Sequence, residues 1–399
     1  MSSDSSATPI SVVRIITRLN IGGPSIQATR LTSALAGHGF QTTLIHGRLG
    51  EGEGDMSYLI APGSRVIYLD TLRRPLSPLN DLRALFRIYG ELKRARPAIV
   101  HTHMAKAGLL GRLAAALYNV TRGGGERARV VHTYHGHVLE GYFSAAMTSV
   151  FITLERLLAR ASDRIVAISP AIEGELRDGF RIGRADQYRV VPLGFDLSSF
   201  AAVDDAARVK ARSKLAIPES ADVISTVGRL TAIKQHRLFL DTIARVAAER
   251  PHVIALIAGD GELRSELEGY AAQLTIADRV RFLGWRRDLA TIYAATDVFL
   301  LTSRNEGTPV ALIEAMASGV PGVSTDVGGV KDVITSDAVG ARVANGDAGA
   351  LAAPIVRYLG DRTQRRDAGV RARAAVLDRY SIDRLVYDIA VLYRDLLAR

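Results

Sequence analysis

Asn305-Glu306-Gly307-Thr308-Pro309-Val310-Ala311-Leu312-Ile313-Glu314-Ala315, preceded by the apolar run Val298-Phe299-Leu300-Leu301, reads as a strand, a loop and the opening of a helix. Pro309 suits the first helical position, because it has no N–H to leave unsatisfied, and Gly319 and Pro321 mark where the helix stops. Unpaired backbone donors therefore cluster over Gly307, Thr308 and Val310, where the helix dipole also points, and such a start attracts a phosphate. Glu306 falls in the loop beside that anion. Glu314 falls roughly 7 Å further along the axis at ~1.5 Å per residue. Two carboxylates flanking an anion site do not hold the phosphate. They are placed to accept hydrogen bonds from hydroxyl groups on either side of it.

Outward from this stretch, short β-rich runs alternate with longer helical patterns along the whole chain, the mark of parallel sheets with helical crossovers. The first half gives strands at 12–17, 42–46, 66–69, 99–101, 130–133, 165–168 and 189–191. After Pro192-Leu193-Gly194-Phe195-Asp196 the pattern is irregular, and it restarts at 223–227, 253–258, 280–283, 298–301 and 320–324. Two Rossmann-like doubly wound domains follow, over 10–195 and 196–380, with a last helix over 381–399 for which Ser381 is the N-cap.

In open α/β sheets ligands bind beyond the carboxyl ends of the strands, so the loops there carry the search for a site. Asn20-Ile21-Gly22-Gly23-Pro24 follows the first strand and precedes a helix from about Ser25; paired glycines let backbone approach a phosphate or a sugar. Gly228-Arg229-Leu230-Thr231-Ala232-Ile233-Lys234 offers a forked guanidinium and a movable ammonium, enough to neutralise a diphosphate. Gly259-Asp260-Gly261 makes a sharp strand-to-helix turn that a structural role explains almost as well as a binding role. Thr133-Tyr134-His135-Gly136-His137 and His101-Thr102-His103 bring four imidazoles to neighbouring strand ends, without an acidic or helix-borne partner to complete a zinc site.

The Glu-x7-Glu spacing of Glu306 and Glu314, with Glu-Gly-x-Pro before the helix, resembles the signature of retaining glycosyltransferases of GT-B fold, in particular family 4. Gly-Arg-Leu-x-x-x-Lys over Gly228 to Lys234 is similar to that family's diphosphate motif, although Gln235 stands where a glycine often follows the lysine. The resemblance covers about residues 12 to 399. It implies two Rossmann-like domains facing a central cleft, with the last helix crossing back to the first, an N-terminal acceptor domain and a C-terminal nucleotide-sugar domain. It also implies roles: Glu306 on donor-sugar hydroxyls, Glu314 on the ribose, and His135 near the sugar hydroxymethyl. Arg229 and Lys234 would lie on the diphosphate, and Gly22, Gly23, Gly259, Asp260, Gly261, Gly307, Thr308, Pro309 and Val310 around the donor. His137 receives no role. The expected reaction is same-face transfer of a hexose-type sugar from a nucleotide diphosphate sugar, preferably a UDP-sugar, to an acceptor hydroxyl. A sugar-nucleotide epimerase on the same scaffold, or a non-catalytic sugar-nucleotide-binding partner, is the alternative.

Composition sets the bounds. The chain has 399 residues, no cysteine and 48% hydrophobic residues, so disulfides and thiolate chemistry are excluded and each half can bury a core. No Asp-x-Asp occurs, nor a dinucleotide glycine fingerprint or P-loop, so no metal and no cofactor are expected and charge neutralisation falls to Arg, Lys and helix dipoles. The polar N-terminus is not that of a signal peptide and no apolar stretch reaches membrane-spanning length, which fits a cytoplasmic protein. Residues 1–199 hold 24 Lys/Arg against 16 Asp/Glu, a balance of +8, and the rest of the +10 lies beyond them. Basic residues Arg83, Arg87, Lys93 and Arg94, with an apolar stretch at 145–158, suggest a peripheral contact with anionic membrane and a lipid-linked acceptor, for surface polysaccharide assembly. Nucleic acid is not expected, because no aromatic-interleaved basic tract accompanies the charge.

Overall fold

The computed structural model describes residues 8–136 and 145–398, and divides them into two compact units. The first runs to Phe195 and takes in the terminal segment from Ile382; the second is Asp196–Ser381. The sequence reading of residues 1–7, of His137 and of 137–144 lies outside the described residues, as does that of the Ala145 and Ala146 side chains and of Arg399.

In the first unit seven strands, β1 (Ile10–Arg18), β2 (Phe40–Gly47), β3 (Arg65–Leu69), β4 (Ile99–His103), β5 (Arg129–Tyr134), β6 (Arg164–Ala167) and β7 (Tyr188–Val190), form one parallel sheet. Their order is β3-β2-β1-β4-β5-β6-β7. The central strands β1, β4, β5 and β6 are buried on both faces, as in an all-parallel sheet between helices, while the edge strands β3 and β7 are partly exposed. One layer is completed by the terminal helix Ile382–Leu397, whose Leu385, Val386, Ile389, Ala390, Tyr393 and Leu396 recur at helical spacing and pack with Val12, Ile99, Val131 and Val166. Its first N–H donates to the Phe195 carbonyl at 2.9 Å, and Arg384 donates to the carbonyls of Pro192 and Leu193, both at 2.8 Å.

In the second unit six strands, β8 (Asp222–Val227), β9 (Val253–Ala258), β10 (Val280–Gly284), β11 (Val298–Leu301), β12 (Gly322–Thr325) and β13 (Gly340–Val343), run parallel in the order β10-β9-β8-β11-β12-β13. Strand β13 has no counterpart in the sequence reading. Its four residues include a glycine and an arginine, so no apolar run announces it. Both sheets reverse their order between the first strand and its neighbour, β1 against β4 and β8 against β11. That reversal parts the loops at the carboxyl ends and opens a crevice for ligands.

Local boundaries differ from expectation at two loops. The helix after the first strand begins at Gly23 rather than near Ser25, with Gly22 as its N-cap at φ 150. Pro309 is the N-cap residue, with φ −78 and ψ 79, and the helix proper is Val310–Ala317.

Candidate functional site

The loops after β8 and β11 flank the order reversal of the second sheet, and they bring Lys234 and Glu306 together. Lys234 Nζ donates to Glu306 Oε1 at 2.6 Å, and Ser303 Oγ donates to the same oxygen at 2.5 Å. The geometry is built by hydrogen bonds between the loops: Arg304 N–H donates to the Ile233 carbonyl at 2.8 Å, and the Thr302 hydroxyl to the carbonyls of Lys234 and Gln235 at 3.0 and 3.2 Å. Glu306 Oε2 has no hydrogen-bond partner among the described residues, so half of the carboxylate stays available. Arg229, on the same loop, is exposed and makes no ion pair with a described residue. Gln235 adopts φ 47 and ψ 47, a left-handed conformation that costs a residue with a side chain about 1 kcal/mol and explains why glycine suits the position.

The start of the helix Val310–Ala317 offers fewer donors than its sequence suggests. Val310 N–H turns back onto the Thr308 carbonyl at 2.9 Å, and Ile313 N–H closes the first helical bond onto Pro309 at 3.1 Å. The donors of Gly307, Thr308, Ala311 and Leu312 remain for an anion. Within the helix, Glu314 accepts from Tyr293 Oη at 3.1 Å. Burial pushes its carboxyl up to about 7, opposed by that hydrogen bond.

A third loop, which the sequence reading passed over, supports Glu306 from beneath. Gly329 N–H donates to the Glu306 carbonyl at 2.8 Å. A Cβ on Gly328, at φ 49, would overlap the Glu306 carbonyl oxygen, and one on Gly329 would overlap that of Gly307. Two glycines just past β12 were the available signal. Gly259 and Gly261 prove to have the same kind of role, since a Cβ on either would collide with the backbone of Gly228 or Leu230. Leu230 N–H donates to the Asp260 carbonyl at 3.0 Å, while the Asp260 carboxylate accepts from Gly261 N–H at 2.8 Å and from Arg264 at 3.3 Å. The turn thus braces the Arg229 loop, and its carboxylate is committed to its own helix start.

The remaining candidates lie in the first unit. Gly22 and Gly23 follow β1, with Gly23 packed too closely against Leu193 to admit a Cβ without displacing it. His135 follows β5, and its Nε2 lies 2.9 Å from His103 Nδ1 at the end of β4. Beneath them a fully buried Arg14, on β1, reaches His103 Nε2 at 3.1 Å, His101 Nδ1 at 3.4 Å and Tyr393 Oη at 3.1 Å. Tyr393 Oη is also 2.6 Å from His101 Nδ1, and His101 Nε2 is 2.7 Å from Thr133 Oγ1. Burial, with the Arg14 charge second, lowers His135 to about 3; burial lowers His101 and His103 well below the usual imidazole range. Arg14, Tyr393, Tyr293, Ser303 and the Gly328-Gly329 pair are site-forming residues that the sequence reading missed.

Two family models match in succession: Glycosyltransferase Family 4 over residues 21–199, and Glycosyl transferases group 1 over residues 208–375. The chain belongs to glycosyltransferase family 4. An Escherichia coli UDP-Gal:alpha-D-GlcNAc-diphosphoundecaprenol alpha-1,3-galactosyltransferase is 28% identical, over 86% of this chain and 87% of its own. Among solved structures, a glycosyltransferase from Rickettsia africae matches with a TM-score of 0.82 at 18% identity, covering 98% of this chain and 99% of that one. Anabaena HepE, solved with UDP, matches with a TM-score of 0.79 at 19% identity, covering 97% and 100%. At these identities the solved structures bear on the fold, which is GT-B with two Rossmann-like domains. Family membership makes the protein a glycosyltransferase.

Proposed function

We propose that this glycosyltransferase moves a hexose-type sugar from a UDP-sugar to a hydroxyl of a lipid-linked acceptor, with retention at the anomeric carbon and without a metal, in assembly of a surface polysaccharide or lipopolysaccharide. The observation that carries the reading is Glu306. Lys234 and Ser303 hold one of its oxygens and leave the other for a sugar hydroxyl, while the same loops carry an exposed Arg229, without an ion pair among the described residues, and the donors of Gly307, Thr308, Ala311 and Leu312. Glu314 accepts the ribose hydroxyls, and Arg229, Lys234 and the helix start stabilise charge on the diphosphate as the anomeric carbon–oxygen bond breaks. The acceptor oxygen bonds to the same face of that carbon, and its proton passes to the departing diphosphate oxygen. The relative from Escherichia coli, named for a UDP-galactose donor and a diphosphoundecaprenol-linked acceptor, supports this choice of substrate classes.

Membrane approach by the first unit is part of the proposal. On the helix Pro78–Ala95, Ala84, Ile88 and Leu92 face the core, whereas Leu79, Leu82 and Phe86 are exposed beside Arg83 and Arg87. Among the described residues no helix is long and apolar enough to cross a membrane. A surface that is both basic and apolar suits an anionic leaflet, where each nearby cation adds about 1 kcal/mol of attraction. The test is a panel of UDP-sugars with a polyprenyl-diphosphate-linked sugar in anionic vesicles and in detergent, read by mass spectrometry, with the product's anomeric configuration read by NMR. Transfer with retention, unaffected by EDTA, is expected. An inverted product, or epimerisation of the donor without acceptor, overturns the reading.

A further inference from the structure

We infer that Arg14 and His103 are positioning residues that fix His135 with its proton on Nδ1, so that this N–H is kept as a hydrogen-bond donor for a ligand oxygen. The assignment begins with a group that has no choice. A guanidinium only donates. Arg14 Nη1 lies 3.1 Å from His103 Nε2, so that nitrogen carries the lone pair and a neutral His103 carries its proton on Nδ1. His103 Nδ1 faces His135 Nε2 at 2.9 Å and must donate to it. His135 Nε2 is then the acceptor, and the proton of its neutral ring is on Nδ1. A free imidazole in water has no such constraint; the tautomer is set by what the other nitrogen meets.

The same logic closes on the other side of Arg14. Arg14 Nη1 also approaches His101 Nδ1, at 3.4 Å, so that nitrogen carries the lone pair; Tyr393 Oη, which accepts from Arg14 Nη2 at 3.1 Å, then donates its proton to it at 2.6 Å. His101 therefore carries its proton on Nε2 and donates to Thr133 Oγ1 at 2.7 Å. Every contact in the chain has one donor and one acceptor. The terminal helix Ile382–Leu397 thus contributes, through Tyr393, to holding the guanidinium in place. At the far end of the chain, His135 Nδ1 is buried and has no partner among the described residues. A buried polar atom left unsatisfied is costly, and a ligand oxygen that accepts from it removes that penalty.

The inference rests on the donor-site reading only for what the N–H meets, not for the tautomer. The experiment is a long-range 15N–1H correlation spectrum of the full-length protein at neutral pH, which distinguishes protonated from unprotonated ring nitrogens. In the wild type, His135 shows a protonated Nδ1 and an unprotonated Nε2. His103→Phe removes the donor and lets the Nε2–H form appear, whereas His103→Asn, whose amide can donate from nearly the same point, restores Nδ1–H. A merely structural role for His103 would change stability but not the tautomer ratio. The inference is overturned by Nε2–H on His135 in the wild type, which needs no variant to fold, or by an unchanged ratio in His103→Phe. A downfield shift of the Nδ1 proton on adding a UDP-sugar that the panel selects tests the donor-site reading separately. Its absence with the Nδ1–H tautomer intact would count against that reading alone.

Discussion

The two sheets share the order of their first six strands and a reversal point, yet what fills the two regions is opposite in kind. At the end of the first sheet, imidazoles, a phenol and one guanidinium are buried together within hydrogen-bond distance of one another. At the end of the second, a largely buried carboxylate meets a partly buried lysine, and the same loops carry an exposed Arg229 and backbone donors that have no partner among the described residues. Topology supplies a crevice in both cases. Its chemistry comes from which strand carries an inward polar residue and which loops are cut close by glycine. β1 buries Arg14 beside β4, whereas β8 buries Ile224, Ser225 and Thr226 and carries no charged residue in its interior, and the loops of the second unit approach one another through Gly259, Gly261, Gly328 and Gly329.

The largest expected contrast is in acid. His101, His103, His132 and His135 all have pKa values lowered in the folded state, burial being the first cause. The unfolded chain binds more protons below the ordinary value of 6.5, so the first unit loses stability as pH falls through that value, on the order of 1 kcal/mol per pH unit for each imidazole. Glu314 has the opposite sign. Raised from 4.5 to about 7, it contributes stability at low pH that is lost as pH rises between those values. Hydrogen exchange resolved by unit, at pH 7 and pH 5.5, should show protection falling roughly 10²–10³-fold more in the first sheet. Equal loss in both units would erase the distinction.

Next in size is turnover. Lys234→Ala and Arg229→Ala should each lower it by ~10²-fold or more, the scale of losing a donor to developing negative charge. Glu306→Gln keeps the shape and removes the charge that holds Lys234, and should do the same with little change in Tm. Near-wild-type rates in all three would take the charged pair out of the site. Smaller still is Gly329→Ala. Overpacking against the Gly307 carbonyl should cost about 1–3 kcal/mol, measured by urea titration, and should lower turnover because it moves Glu306. The corresponding Gly39→Ala, at φ 84 with open space around it, carries only the backbone penalty and leaves turnover unchanged.

How much of this contrast was visible beforehand follows from the physics of each part. The strands of both sheets could be read because parallel strands buried on both faces are continuous apolar runs, as in Val253–Ala258. Glu306, Glu314, Arg229 and Lys234 could be read because their spacing about a strand end is local. Arg14 could not: an arginine within Val12-Val13-Arg14-Ile15-Ile16 reads as the solvent side of a strand, and only the docking of Tyr393 from 379 residues away makes its burial sensible. Gly328 and Gly329 were hidden for the same reason. What they fit against belongs to another loop. Asp260 illustrates the converse, since its neighbours made a ligand role and a turn role look alike, and the structure shows its carboxylate engaged by Gly261 and Arg264.

The smallest effect is also the sharpest probe of the second region. If Glu314 accepts ribose hydroxyls as a carboxylate, affinity for a UDP-sugar, whose diphosphate does not titrate near neutrality, should weaken as pH falls through about 7. The bound ligand should itself favour the ionised form. His135, lowered to about 3, adds no limb to that profile near 6.5. Tyr293→Phe removes the hydrogen bond that favours the carboxylate, so the midpoint should move upward. With a net hydrogen bond of about 0.5–1.5 kcal/mol and about 1.4 kcal/mol per pH unit, the displacement is roughly a third of a pH unit to one. Calorimetric titration across pH 5.5–8.5 measures it, and Glu314→Gln should flatten the profile altogether. A midpoint that moves downward in Tyr293→Phe would mean that the phenol stabilises the protonated carboxyl, and that Glu314 meets its ligand as a hydrogen-bond donor rather than as an acceptor.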